Sequence, residues 1–131
     1  MVGNFNKAKN FYKRAEKSSL NSNDPIAIVK TMITELQKSM DKVILSTGID
    51  NQRDVRSKNF SRSLVIIYTL QTTLDFDASE KLATKLFQIY EYCRQQLIKC
   101  FKEQVVEGTY KAINALEDIF NVNIEANSNV E

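Results

Sequence analysis

The chain has 131 residues, 43% of them hydrophobic and 26% charged, with three Gly, one Pro and a formal net charge of +2. That composition suits one soluble domain with a real core, holds too few turn residues for a sheet protein with several tight turns, and gives no charge-based ground for nucleic-acid binding. The lack of any histidine removes Ser-His-Asp and Cys-His catalysis, His-based zinc sites and the Glu-x-x-His motif of di-iron bundles.

Residues 1–23 come first. Lys7, Lys9, Lys13, Arg14 and Lys17 stand against Glu16 alone, so this segment carries +4. Phe5, Ala8, Tyr12 and Ala15 recur at helical spacing, and three readings stay open: a solvated tail, a membrane-surface helix with a small apolar face, or a lid over the rest of the molecule. No apolar h-region follows the basic residues and no apolar run approaches the length of a membrane span. The expectation is a cytoplasmic protein with no stable membrane insertion.

Asp24 and Pro25 open the first helix, because an Asp cap takes a free amide and Pro at the first helical position has none to leave unpaired. Ile26, Val29, Ile33, Leu36, Met40 and Ile44 form its stripe, and Gly48 ends it. A second helix starts near Asp50–Gln52. It contains LVIIYTLQTTL, residues 64–74, whose Val, Ile, Tyr and Thr favour strands. Phe60, Leu64, Ile67, Leu70 and Leu74 nevertheless fall on one face at about 100° per residue, so packing is expected to override propensity.

Asp77 with Glu80 three residues later reads as a capping-box-like start to a third helix. Its stripe is Leu82, Leu86, Ile89, Tyr90, Cys93, Leu97, Cys100 and Phe101, running to about residue 104 before Gly108 interrupts. The two cysteines are about 10 Å apart along such a helix, too far for a bridge, and read as core fillers in a reducing compartment. A last helix carries Tyr110, Ile113, Leu116 and Phe120. Four amphipathic helices joined by short links predict an all-α, antiparallel up-down four-helix bundle. The expected division is a basic arm or short helix over 1–23, the bundle over 24–121, and a disordered acidic tail over 122–131.

The three glycines are isolated, so no phosphate loop is present, and no two carboxylates stand out as a catalytic pair. The expectation is a non-enzyme with no cofactor and no metal. Instead, apolar residues exceed what one stripe per helix needs. Ile28 and Met32 flank the first stripe. Ile66 and Tyr68 flank the second, with Val65 nearly opposite. Phe87, Ile98 and Val105 line up beside Phe101 on the third. They are either the wide flanks of a compact core or a groove for a partner helix held at i, i+3/i+4 and i+7.

The run LVIIYTLQTTLDFDASEKLATKLFQIYEYCRQQL resembles the signature of the flagellin-specific export chaperones, the FliS family. The paired Ile66 and Ile67, then Leu70, Leu74 and Asp75, match its second helix; Leu86, Tyr90, Tyr92 and Leu97 match its third. Tyr12 and Asp24-Pro25 resemble its N-terminal arm and first cap. The member is divergent: Met32-Ile33-Thr34-Glu35 stands where the family has Leu-Tyr-Asp-Gly, Ala78-Ser79 replaces a Gly-Gly, and no Trp is present.

The resemblance implies a cytoplasmic chaperone that binds the disordered C-terminal segment of flagellin, which becomes helical around the bundle. It would block premature polymerisation and deliver the subunit to the type III export apparatus, with export components as further partners. The candidate partner-binding residues are Tyr12, Ile28, Met32, Ile66, Tyr68, Phe87, Ile98 and Phe101, with Tyr12 belonging to a removable cover. The expected state is a monomer or weak homodimer. The competing reading is a self-associating structural or adaptor bundle with no flagellin client, whose flank residues meet in a dimer.

Overall fold

The structure, a computed structural model, describes residues 25–128 and the side chains of residues 26–121. The basic arm, with Tyr12 and the Asp24 cap, lies outside the described residues. Four helices follow in order: α1 (Pro25–Ser46), α2 (Arg53–Thr72), α3 (Glu80–Glu103) and α4 (Glu107–Ser128), with a single 3₁₀ turn at Asp50–Gln52 before α2. Successive helices pack as neighbours and α4 closes back on α1. This is the antiparallel four-helix bundle that short links impose.

Pro25 is the first helical residue of α1, and Gly48, at φ +81°, turns the chain after it. That left-handed conformation is one that a side chain would strain. The buried face of α1 is wider than the expected stripe. Met32, Ile33, Leu36, Ser39, Met40, Val43 and Ile44 are all buried, while Ile26 is largely exposed. A helix wedged between α2 and α4 has two flanks to cover.

The strand-like segment is helical up to Thr72. Its threonines are accommodated by bonding back onto the helix: Thr69 Oγ1 donates to the Val65 carbonyl at 2.9 Å, Thr72 Oγ1 to Tyr68 at 2.9 Å and Thr73 Oγ1 to Thr69 at 2.8 Å. The buried face of α2 differs from the expected one. Asn59, Ser63, Ile66, Ile67, Thr69 and Leu70 are buried, and Phe60, Leu64 and Leu74 lie at its margin. Ser63 is fully buried and its Oγ has no hydrogen-bond partner among the described residues. An unpaired buried hydroxyl costs about 1–3 kcal/mol, so Ser63→Ala is expected to be neutral or to raise stability by up to ~1 kcal/mol in a denaturant melt.

The turn before α3 corrects the expected cap. Asp75 Oδ1 accepts from the Asp77 and Ala78 amides at 3.1 and 3.0 Å, closing the turn. Ser79, left extended, is the N-cap, and its Oγ accepts from the Leu82 amide at 3.4 Å. At the other end Gln104 takes the left-handed conformation, φ +59°, with its amide on the Cys100 carbonyl at 2.9 Å.

Gly108 does not interrupt a helix but sits in the first turn of α4. A Cβ there would lie 1.8 Å from Gln96 Oε1. The glycine lets α4 start close against α3, where Thr109 Oγ1 donates to the Gln96 carbonyl at 3.1 Å. The α4 core face is therefore small: Thr109, Ala112 and Leu116 are buried, and Tyr110, expected in the stripe, is exposed. The expected boundary at 121 falls inside α4, which continues to Ser128.

One apolar cluster unites the four helices through Met32, Leu36, Met40, Ile66, Ile67, Tyr90, Leu97 and Leu116, together with both cysteines. Burial pushes the Cys93 thiol up to about 12, so it stays protonated at neutral pH. Both cysteines are free and buried, in keeping with their reading as core fillers.

Candidate interaction surface

Four of the eight candidate residues share one seam of the bundle. On α3, Phe87, Glu91, Arg94, Ile98 and Phe101 follow one another at three- and four-residue steps and so share a face, whereas Val105, expected to continue it, lies past the end of the helix and beyond the left-handed Gln104. Two contacts place that face against α2. Phe101 stacks on Phe60, with ring centroids 4.1 Å apart and planes 10° from parallel, and Gln71 Nε2 donates to Glu91 Oε2 at 3.1 Å. The strip from Phe87 to Phe101 is about 21 Å long. Phe87 at its upper end is exposed by 40%. Ile98 and Phe101 are half-buried. Tyr68, exposed by 49%, adds an apolar ring on the outer flank of α2, one turn after Leu64.

Three other candidates are placed differently among the described residues, and Tyr12 lies outside them. Met32 and Ile66 are corrected: both are fully buried members of the core cluster and present nothing to a partner in this conformation. Ile66 points into the bundle because the core face of α2 is turned from Phe60 and Leu64 towards Ser63. Ile28, on α1, is half-buried against the core.

The strip is divided by an ion pair that apolar periodicity does not single out. Arg94 Nε donates to Glu91 Oε1 at 2.8 Å, and its guanidinium also bonds the same oxygen through Nη2. The Arg94 hydrogen bond, and then that from Gln71, hold the Glu91 carboxyl below its ordinary value; the same pair raises Arg94. The carboxylate is therefore charged across the neutral range and ties α3 to α2. At the lower end Arg56 lies over the Phe101 ring, 5.8 Å from its centroid, extending the Phe60–Phe101 stack by a cation–π contact. The only sequence signal for the ion pair is the three-residue spacing of Glu91 and Arg94, which is common on helix surfaces.

Among the described residues no group of acids and cysteines could hold a metal, and no helix is long and apolar enough to cross a membrane. What the surface offers is an elongated apolar strip with a polar latch at its middle, a form suited to gripping a helix.

Residues 8–129 match the family described as flagellar protein FliS. The chain belongs to the FliS family. The match spans the four helices and the seam between α2 and α3, which places this FliS-family bundle among flagellar export chaperones. No curated protein and no solved structure matches the chain.

Proposed function

We infer that this FliS-family chain works in the cytoplasm, where it binds the C-terminal segment of flagellin, blocks its premature polymerisation and aids its delivery to the flagellar type III export apparatus. The observation that carries this reading is family membership over residues 8–129. The α2–α3 strip supports it by supplying a surface of the right kind. A client segment that is disordered when free gives up conformational entropy on binding, about 2–5 kcal/mol or more of the gross interaction energy. A long apolar strip offsets that cost where isolated polar contacts would not.

On this reading the bound segment is helical, sets apolar side chains against Phe87, Ile98, Phe101 and Tyr68, and leaves the bundle fold unchanged. No cofactor takes part, and the chain is a monomer or weak homodimer. The test is calorimetric titration with a synthetic flagellin C-terminal peptide, followed by NMR of the labelled peptide. The expected result is saturable heat with amide signals that disperse and acquire helical shifts. No heat and no ordering at protein concentrations well above micromolar would count against flagellin as the client.

A further inference from the structure

Among the described residues, half of the large apolar side chains that stand exposed lie at the end of the bundle remote from Phe87. Leu45, Ile49, Val55, Val105 and Tyr110 flank the 46–52 link and the α3–α4 junction. These two connections meet at one end: Thr47 Oγ1 is 3.6 Å from Cys100 Sγ. Beside them the outer seam between α1 and α2 opens into a groove of about 460 Å³. Leu45 and Val55 give it apolar walls, while Lys42, Lys58 and Arg62 give it three cationic groups. No acidic side chain lines it among the described residues. Of these cations Arg62 already pairs with Glu35, at 2.8 Å. Lys42 and Lys58 are exposed and sit on opposite walls, one from α1 and one from α2.

We propose that this α1–α2 groove is a second docking site, and that its occupant is an acidic amphipathic helix of another protein. Such a helix lays apolar residues between Leu45 and Val55 and sets carboxylates on its two flanks against Lys42 and Lys58. Concavity decides against an anionic bilayer, because a flat membrane surface cannot follow a groove between two helices. Charge decides against the basic segments of this chain itself. The α1–α2 seam lies across a different pair of helices from the α2–α3 strip, so the bundle can hold a client and this second partner at the same time.

The probe is a blocked, fluorescent peptide of about five helical turns, with Leu at alternating three- and four-residue steps and Glu on both flanks. Its control carries Lys in place of each Glu. Anisotropy titration of the full chain is expected to show saturable binding of the acidic peptide and none of the basic one. Raising salt to about 0.5 M should weaken it, since exposed charges are screened over a few ångströms there. The paired change Lys42→Glu with Lys58→Glu alters exposed side chains only, so the melt should be unchanged while acidic-peptide affinity falls at least about tenfold. The same variant should bind the flagellin peptide as before, and Phe87→Ser should leave the acidic peptide bound. These two controls keep the groove and the client strip separately falsifiable. Equal binding of both peptides, no binding at all, no effect of the charge reversal, or competition between the acidic and flagellin peptides would each overturn the proposal. So would binding only to phosphatidylcholine vesicles containing about 30% phosphatidylglycerol, which would assign the groove to a membrane.

Discussion

Ile66→Ala is expected to lower the unfolding free energy by about 2–5 kcal/mol, the range for removing a large aliphatic side chain from a packed core. Ile66 is fully buried and belongs to the cluster that joins all four helices. Truncation therefore removes apolar area from the dry interior and leaves a cavity that the α1–α2 packing can only partly close. A domain of this size has about 5–15 kcal/mol in all, so the reduction is a large share of the total. Chemical denaturation, read by circular dichroism, measures it directly. A surface role for Ile66 requires the opposite pattern: a midpoint that hardly moves and a client affinity that falls. Ile66→Asp sharpens the contrast, because an unpaired carboxylate at that depth is not tolerated in the folded state.

The converse holds at the α2–α3 seam. Phe87→Ser combined with Ile98→Ser is expected to weaken binding of the flagellin C-terminal peptide by roughly 30- to 700-fold. That range follows from removing about 1–2 kcal/mol of apolar burial against the client at each position. Phe87 is 40% exposed, so its replacement alone should leave the melt nearly unchanged. Ile98 is half-buried and contributes to its own bundle as well, so the double variant melts somewhat lower. Affinity is therefore compared at a temperature where both proteins are fully folded. Unchanged affinity in a folded double variant would move the client off this seam.

The difference between Ile66 and Phe87 shows where sequence reading succeeds and where it stops. On α3 the stripe is legible because its core positions are filled by apolar types: Tyr90, Cys93, Leu97 and Cys100 are all buried as expected. On α2 the largest apolar residues in view, Phe60, Leu64 and Leu74, suggest a stripe that is turned away from the true face. That face passes through Asn59, Ser63 and Thr69. Asn59 and Thr69 enter the interior because their side chains donate to the Val55 and Val65 carbonyls, at 2.8 and 2.9 Å. A polar residue that satisfies itself on its own helix is apolar to its neighbours, and a helical wheel does not register this.

The same effect hides the core face of α4. Thr109 and Ala112 pack inside because Gly108 brings the helix close to α3, and Tyr110 is left outside. The residues that carry the family resemblance serve both roles. Ile66, Ile67 and Tyr90 are core, whereas Leu86 and Tyr92 lie at its margin. Spacing alone places these residues on a helix face. It does not say which faces the packing closes.

The most direct measurement is co-purification of the tagged chain with full-length flagellin and with flagellin lacking its C-terminal segment, expressed alongside it at equal levels. The expected result is a stoichiometric, soluble complex with the full-length subunit, none with the truncated one, and loss of the full-length complex in the Phe87→Ser, Ile98→Ser variant. Equal recovery of both flagellins, or of neither, would contradict the assignment of this bundle as a chaperone for the flagellin C-terminal segment.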